Sequence, residues 1–333
     1  MEKSAKNALT ITGIAVGVTA AAAAAAYFTT KYLVNTALDR KAPKLVQNMD
    51  RFIAGSDVSS DFLNELDKAS EKLESSEHET VQITSSYDGI ALVGHYFPVK
   101  KAKRVIVAAH GWRSSWHRDF GLVSDFWKEN GCSVLYVEQR GQNNSGGDYM
   151  GFGLTERFDC LDWARWADAN TDASLPIYLA GISMGATTVM MASALDLPQR
   201  VHGIMADCGF TSPSAIFKHV AHKNLHISYG IRGGLIEALC KQKINLGPNE
   251  YSSTEALRET NIPVLFIHGT NDTFVPVEMT YENYSACASP KRLLVVPGAD
   301  HGMSYFVEPE KYKETIKEFW ASFDKIISAA KAS

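Results

Sequence analysis

The sequence predicts an α/β fold: a mostly parallel central sheet with helices on both faces and a helical cap inserted late in the chain. Three observations predict it. Short apolar runs such as Val105-Ile106-Val107-Ala108-Ala109 recur and read as strands buried on both faces. Amphipathic stretches at helical spacing separate these runs, so strand and helix alternate. One connection, from Asp207 to Ile262, breaks the rhythm without a buried strand of its own, and so long an excursion in a compact domain is usually functional.

Taken in order, the elements begin with a segment free of charge. No charged residue lies between Lys6 and Lys31, and as a helix Asn7 to Thr30 is long enough to cross about 30 Å of hydrocarbon. The run Ala20 to Ala26 favours helix but adds little hydrophobic drive, which falls to Ile11, Ile14, Val16, Val18, Tyr27 and Phe28. We expect residues 1–38 to form a single-pass N-terminal anchor with its flanks, placing the protein at the cell membrane. A cleaved signal peptide and a peripheral helix are the alternatives. The anchor is preferred because the apolar stretch outruns the usual signal core of about 7–15 residues. Lys3 and Lys6 on one flank nearly balance Lys31, Arg40, Lys41 and Lys44 on the other, so the positive-inside rule leaves the orientation open.

Residues 39–78 read as a helical connector, with Leu45, Met49, Phe52 and Ile53, then Phe62, Leu66, Ala69 and Leu73, at helical spacing. From residue 79 a single α/β domain runs to the C-terminus. Val81 to Thr84 alternates, Tyr87-Asp88-Gly89 turns, and Ile90 to Phe97 returns, which is an antiparallel hairpin. Further strands are expected at 104–109, 133–137, 177–180, 201–207, 264–268 and 292–296. Helices are expected at 120–130, 155–170, 183–195, 277–288 and 309–330. The cap, at about 208–260, contains helical stretches at 214–224 and 235–243. There, His219, His222 and His226 would share one face, read as a polar or site-lining surface.

The 333 residues are 45% hydrophobic and 21% charged, with a formal net charge of −4. That is a globular composition without the basic excess of a nucleic-acid surface. The five cysteines are scattered and form no C-x-x-C pair, which argues against a disulfide framework and a structural zinc site.

The chemistry centres on Gly181-Ile182-Ser183-Met184-Gly185, placed between a buried strand and a helix-forming run. A sharp strand-to-helix turn would lift the Ser183 hydroxyl clear of the sheet, with glycines on either side removing colliding Cβ atoms. A serine hydroxyl is a weak nucleophile and needs a base. His301, in the loop after the last strand, is the candidate base. Asp272, after the preceding strand, is the candidate acid that holds its tautomer. Asp207, also at a strand end, is the rival acid. Ser183, Asp272 and His301 thus each follow a strand, at the sheet edge where sites assemble. The N–H of Met184, next to the nucleophile, is one candidate oxyanion donor. The loop Arg140 to Gly147 lacks both phosphate-binding glycine patterns and reads as a turn at the site rim.

With these motifs, the chain from about residue 79 resembles the α/β-hydrolase superfamily. It is similar to the bacterial branch related to serine aminopeptidases and prolyl-oligopeptidase-like hydrolases. The resemblance rests on His110-Gly111-Trp112, the Gly181–Gly185 elbow, His268-Gly269 with Asp272, and Asp300-His301. The loop beginning Glu138-Gln139-Arg140-Gly141-Gln142-Asn143 departs from the Asp-x-Arg-Gly-x-Gly of many members. The resemblance implies that the Trp112 N–H is the second oxyanion donor and that His110 braces its loop. It also implies a serine hydrolase acting on a small acyl ester, with a short peptide or a non-water acyl acceptor as alternatives. A membrane-tethered binding protein on a hydrolase scaffold is the non-enzyme alternative. No metal or organic cofactor is implied, and no nucleic-acid partner.

Overall fold

The computed structural model describes residues 21, 23–41 and 60–324 of the chain. Eight strands form one sheet in the order β1-β2-β4-β3-β5-β6-β7-β8. The hairpin is there: β1 (Glu79–Thr84) lies antiparallel to β2 (Ala91–Phe97), which lies antiparallel to β4 (Cys132–Val137). Every other pairing is parallel, through β3 (Arg104–Ala109), β5 (Ile177–Ile182), β6 (Val201–Asp207), β7 (Val264–Gly269) and β8 (Lys291–Val296). Strands β3, β4, β6 and β7 are buried at every position, which is why they read as continuous apolar runs.

The sheet pleat sorts each strand between two cores. In β3, Ile106 and Ala108 face one layer, built with α2 (Ser60–Ser75), α3 (Trp116–Glu129) and the C-terminal helix Pro309–Phe323. Val105, Val107 and Ala109 face the other, built with α4 (Glu156–Asn170) and α5 (Met184–Ala192). This is the α/β-hydrolase arrangement.

Between β6 and β7 lies the expected helical insertion. Ser212, in extended backbone, accepts the Ala215 N–H at 3.1 Å and starts α6 (Pro213–His219), with Pro213 at its first turn. A π-helical turn (Val220–Asn224), α7 (Gly233–Ile244) and α8 (Ser253–Glu259) follow. Only the stretch to Ile244 joins the third apolar cluster, over the strand ends; α8 instead buries Leu257 in the sheet core. The widened turn also breaks the regular histidine face. His219 meets the Thr273 carbonyl at 3.1 Å, and His226 lies beyond the helical segment at φ +54°.

Most of the expected anchor lies outside the described residues, and no helix among the described residues is long and apolar enough to cross a membrane. The described remainder is helix α1, over 23–38. Its later half is docked: Thr30, Val34 and Leu38, four apart, are buried on the insertion side of the domain. The carbonyls of Thr36 and Asp39 accept Arg113 at 2.7 and 2.6 Å, and Arg40 reaches the Ser145 carbonyl at 2.5 Å. Of the expected connector, Leu45, Met49, Phe52 and Ile53 lie outside the described residues. Phe62 and Leu73 are buried faces of α2.

Candidate active site

β5 runs into α5 through one residue, Ser183, whose backbone sits at φ +55°, ψ −117°. A non-glycine residue there is strained by about 1–3 kcal/mol and persists only where its surroundings hold it. They do so here. The Ser183 N–H donates to the Asp207 carbonyl at 2.8 Å, and the Ser183 carbonyl accepts Thr187 N–H at 3.1 Å. A Cβ on Gly181 would collide with the Gly185 carbonyl, and one on Gly185 with the Ala109 carbonyl. The helix expected from Ser183 therefore begins one residue later.

The structure brings the three sequence-predicted residues together. Ser183 Oγ lies 2.9 Å from His301 Nε2, and His301 Nδ1 lies 2.6 Å from Asp272 Oδ2. All three side chains are buried. Asp272 is held from both sides: its Oδ1 accepts the N–H groups of Phe274 and Val275 at 3.0 and 2.8 Å. Its Oδ2 is shared by His301 and by His268, whose Nε2 lies 3.0 Å away. His268, fully buried, also faces the Val275 carbonyl at 2.8 Å, while its Nδ1 meets the Thr280 hydroxyl at 2.6 Å. With the Thr280 O–H donating to Nδ1, the ring keeps its proton on Nε2 and points it at Asp272. Asp207, the rival acid, is instead buried at the end of β6, where burial pushes its carboxyl up to about 6 and Ser304 Oγ lies 3.4 Å away. Its contribution to the elbow is its backbone carbonyl.

The electrostatics follow the geometry. Burial alone would raise Asp272, but the two imidazoles, His301 first, hold it well below the usual carboxylate range. Burial would lower His301, yet the Asp272 carboxylate outweighs it and holds the imidazolium well above the ordinary histidine value. A thiol joins this cluster. Cys208, at φ +48° just after β6, lies beside the His301 ring. Its Sγ, with donor atoms of Asp272 and His301, forms a group within 4.8 Å that has the makings of a metal-ligand set. The hydrogen bond between Asp272 Oδ2 and His301 Nδ1 already engages both of these side chains. Burial pushes the Cys208 thiol up to about 11, so it stays protonated and does not compete as a nucleophile. Sequence reasoning gave Cys208 no place in the site, and used His268 for the resemblance without giving it a role. The signal for His268 was a histidine four residues before the acid, at the end of the same strand.

The loop His110–Ser114 closes the other side of Ser183. His110 is fully buried, and burial lowers its pKa. Neutral, it fits one donor and one acceptor role, with Nδ1 2.8 Å from the Gly111 carbonyl and Nε2 accepting the Gln139 N–H at 3.1 Å. The Gly111 N–H donates to Asp119 at 2.6 Å and the Arg113 N–H to Gln142 at 2.5 Å. The intervening Trp112 N–H, and that of Met184 at the start of α5, donate to no group among the described residues. The glycine-rich loop supplies Gln142 for this bracing, and Arg140 anchors it in a buried pair with Asp159 at 2.6 Å. Ser183 and His301 open on a groove of about 130 Å³ whose walls include Trp112, Phe274, Leu66 and Asp119. A hydroxyl on a base, a base on a buried carboxylate and two unused N–H groups can together carry acyl transfer.

Comparison with known proteins bears on the family and the fold. A family model described as the prolyl oligopeptidase family matches residues 118–327. The Bacillus subtilis protein YqkD is 25% identical over 253 residues, 75% of this chain and 81% of its own. Among solved structures, the Pyrococcus furiosus esterase Pf2001 is 25% identical with a TM-score of 0.60, covering 76% of this chain and 95% of that one. A Pyrococcus horikoshii acylaminoacyl peptidase shares the fold at 18% identity and TM-score 0.55, over 77% of this chain and 43% of its own.

Proposed function

The chain belongs to the prolyl oligopeptidase family of serine hydrolases, and on that premise we propose that it cleaves carboxylic ester or thioester bonds through an acyl-enzyme on Ser183. The observation that carries this reading is the unbroken relay from Ser183 through His301 to Asp272, at 2.9 and 2.6 Å. His301 takes the hydroxyl proton as Ser183 attacks the carbonyl, and Asp272 stabilises the imidazolium that forms. The Trp112 and Met184 N–H groups hold the oxyanion, each worth on the order of 10²–10³ in rate. His301 returns the proton to the leaving group, and then activates the water that frees the acid.

Ester is favoured over peptide by the groove. An aminopeptidase needs a carboxylate left over for the substrate's ammonium. Asp119, the carboxylate on the groove wall among the described residues, is already taken by the Gly111 N–H and the Ser114 hydroxyl. The likeness to the Pyrococcus furiosus esterase points the same way. Two measurements test the reading. A fluorophosphonate probe should label the folded protein and fail on Ser183→Ala; no labelling of the wild type would remove the hydrolase reading. p-Nitrophenyl esters should then be turned over far faster than aminoacyl amides, and the reverse order would make it a peptidase.

The uncharged stretch from Asn7 supports a further part of the proposal, a membrane tether. Resistance of the full chain to carbonate extraction tests it, and release into the supernatant would refute it.

A further inference from the structure

A second and larger cavity, of about 440 Å³, adjoins the groove; Trp112 and Phe274 line both spaces. Its walls come from three parts of the chain. α1 contributes Val34 and Ala37, the insertion contributes Phe217 and Ile236, and the main domain contributes Trp112 and Phe152. Arg232 is the one charged side chain on this wall among the described residues. A space lined mainly by apolar side chains suits a hydrocarbon.

We propose that this cavity holds the acyl chain of a long-chain ester, with α1 as part of the binding wall. The proposal rests on the esterase reading above. Three observations point to a chain as the occupant. The cavity adjoins the candidate oxyanion donor Trp112, so a chain lying in it would bring its carbonyl towards Ser183. Its size is about three times that of the ~150 Å³ apolar cavity that accommodates a six-carbon ring, leaving room for a chain on the order of twelve carbons or more. Its lining includes exposed apolar residues, Tyr32 and Leu225, with Phe28 also exposed one turn before Tyr32 on α1. A hydrocarbon tail would meet apolar surface from the rim inward. The wall is also built to stay in place: Trp112 Nε1 donates to the Ala37 carbonyl at 2.8 Å, tying α1 to the loop that carries the oxyanion donor.

The test uses the full-length chain and a p-nitrophenyl ester series from two to sixteen carbons. kcat/KM should rise by roughly fourfold per added methylene, the factor expected for burying one CH₂, until the cavity is full. Two substitutions in the lining, Val34→Phe on α1 and Ala221→Trp on the insertion, should each cut the ratio of dodecanoyl to acetyl kcat/KM by at least tenfold. Dodecanoate binding to the Ser183→Ala protein, followed by calorimetry, supplies a readout that does not need turnover. It should be weakened by the same wall substitutions. A flat chain-length profile, or wall variants that leave both the ratio and dodecanoate affinity unchanged, overturns the proposal. Labelling by fluorophosphonate with no ester turnover would remove the esterase reading alone, and dodecanoate binding would then decide the cavity.

Discussion

Replacing Asp272 with asparagine tests the relay most sharply, because the two residues have the same shape. Four donors converge on this carboxylate: Phe274 and Val275 N–H on Oδ1, His268 and His301 on Oδ2. In the variant the two backbone N–H groups demand that the amide oxygen take the Oδ1 place, which puts the NH₂ group where Oδ2 was. That group is a donor, so His301 Nδ1 must become an acceptor and the ring must carry its proton on Nε2. The proton then points at Ser183 Oγ, which can no longer be deprotonated. A wrong tautomer in an otherwise intact triad costs about 10⁴ in rate, or about 5.4 kcal/mol at about 1.36 kcal/mol per decade. Asp272 also raises the His301 pKa. The wild-type acid limb of kcat/KM should therefore lie above the ordinary histidine value of about 6.5 and move to lower pH in the variant. The assay is kcat/KM on a p-nitrophenyl ester across pH, with fluorophosphonate labelling rate as a second readout. A loss smaller than tenfold, or an acid limb that does not move, would refute the reasoning.

Three further outcomes follow from the same geometry. His268→Ala removes a hydrogen bond to a charged carboxylate, worth about 1.5–3 kcal/mol, and strands the Thr280 hydroxyl. Urea unfolding should show that loss of stability, with a smaller fall in kcat/KM than Asp272→Asn; an unchanged midpoint would show that His268 is idle. Stability should also depend on pH through the pair. The Asp272 contribution is present above about pH 3.9 and lost as pH falls through its lower folded value, whereas that of His301 is complete below about 6.5 and lost as pH rises through its higher folded value. Denaturation midpoints measured across pH should flatten on both arms in Asp272→Asn, since the variant has no carboxylate to titrate or to raise His301. Gly185→Ala should destabilise by about 1–3 kcal/mol despite alanine's better helix propensity, because its Cβ meets the Ala109 carbonyl; thermal melting at the wild-type temperature would contradict this.

Much of this protein was legible as sequence because the relevant signals are local. Continuous apolar runs marked the buried parallel strands, since a strand covered on both faces has no polar side to show. The Gly181–Gly185 pentapeptide marked the elbow because the turn needs missing Cβ atoms at those positions. Asp272 and His301 were legible because each follows a strand in a loop, and parallel strands deliver their following loops to one edge.

What the sequence by itself determined, then, was the sheet, the elbow and the three residues of the relay, all fixed by short-range pattern and chain order. The tertiary structure decided what lies around them. Cys208 looks like an ordinary strand-end residue until packing places its thiol beside Asp272 and His301. The role of residues 30–38 was likewise invisible, because an apolar helix reads the same whether lipid or protein will cover it. Only the folded chain shows Val34 and Leu38 packed on the insertion and the Ala37 carbonyl bound to Trp112. Contacts between residues more than seventy positions apart have no period or spacing to betray them; they exist only once the sheet has brought those segments together.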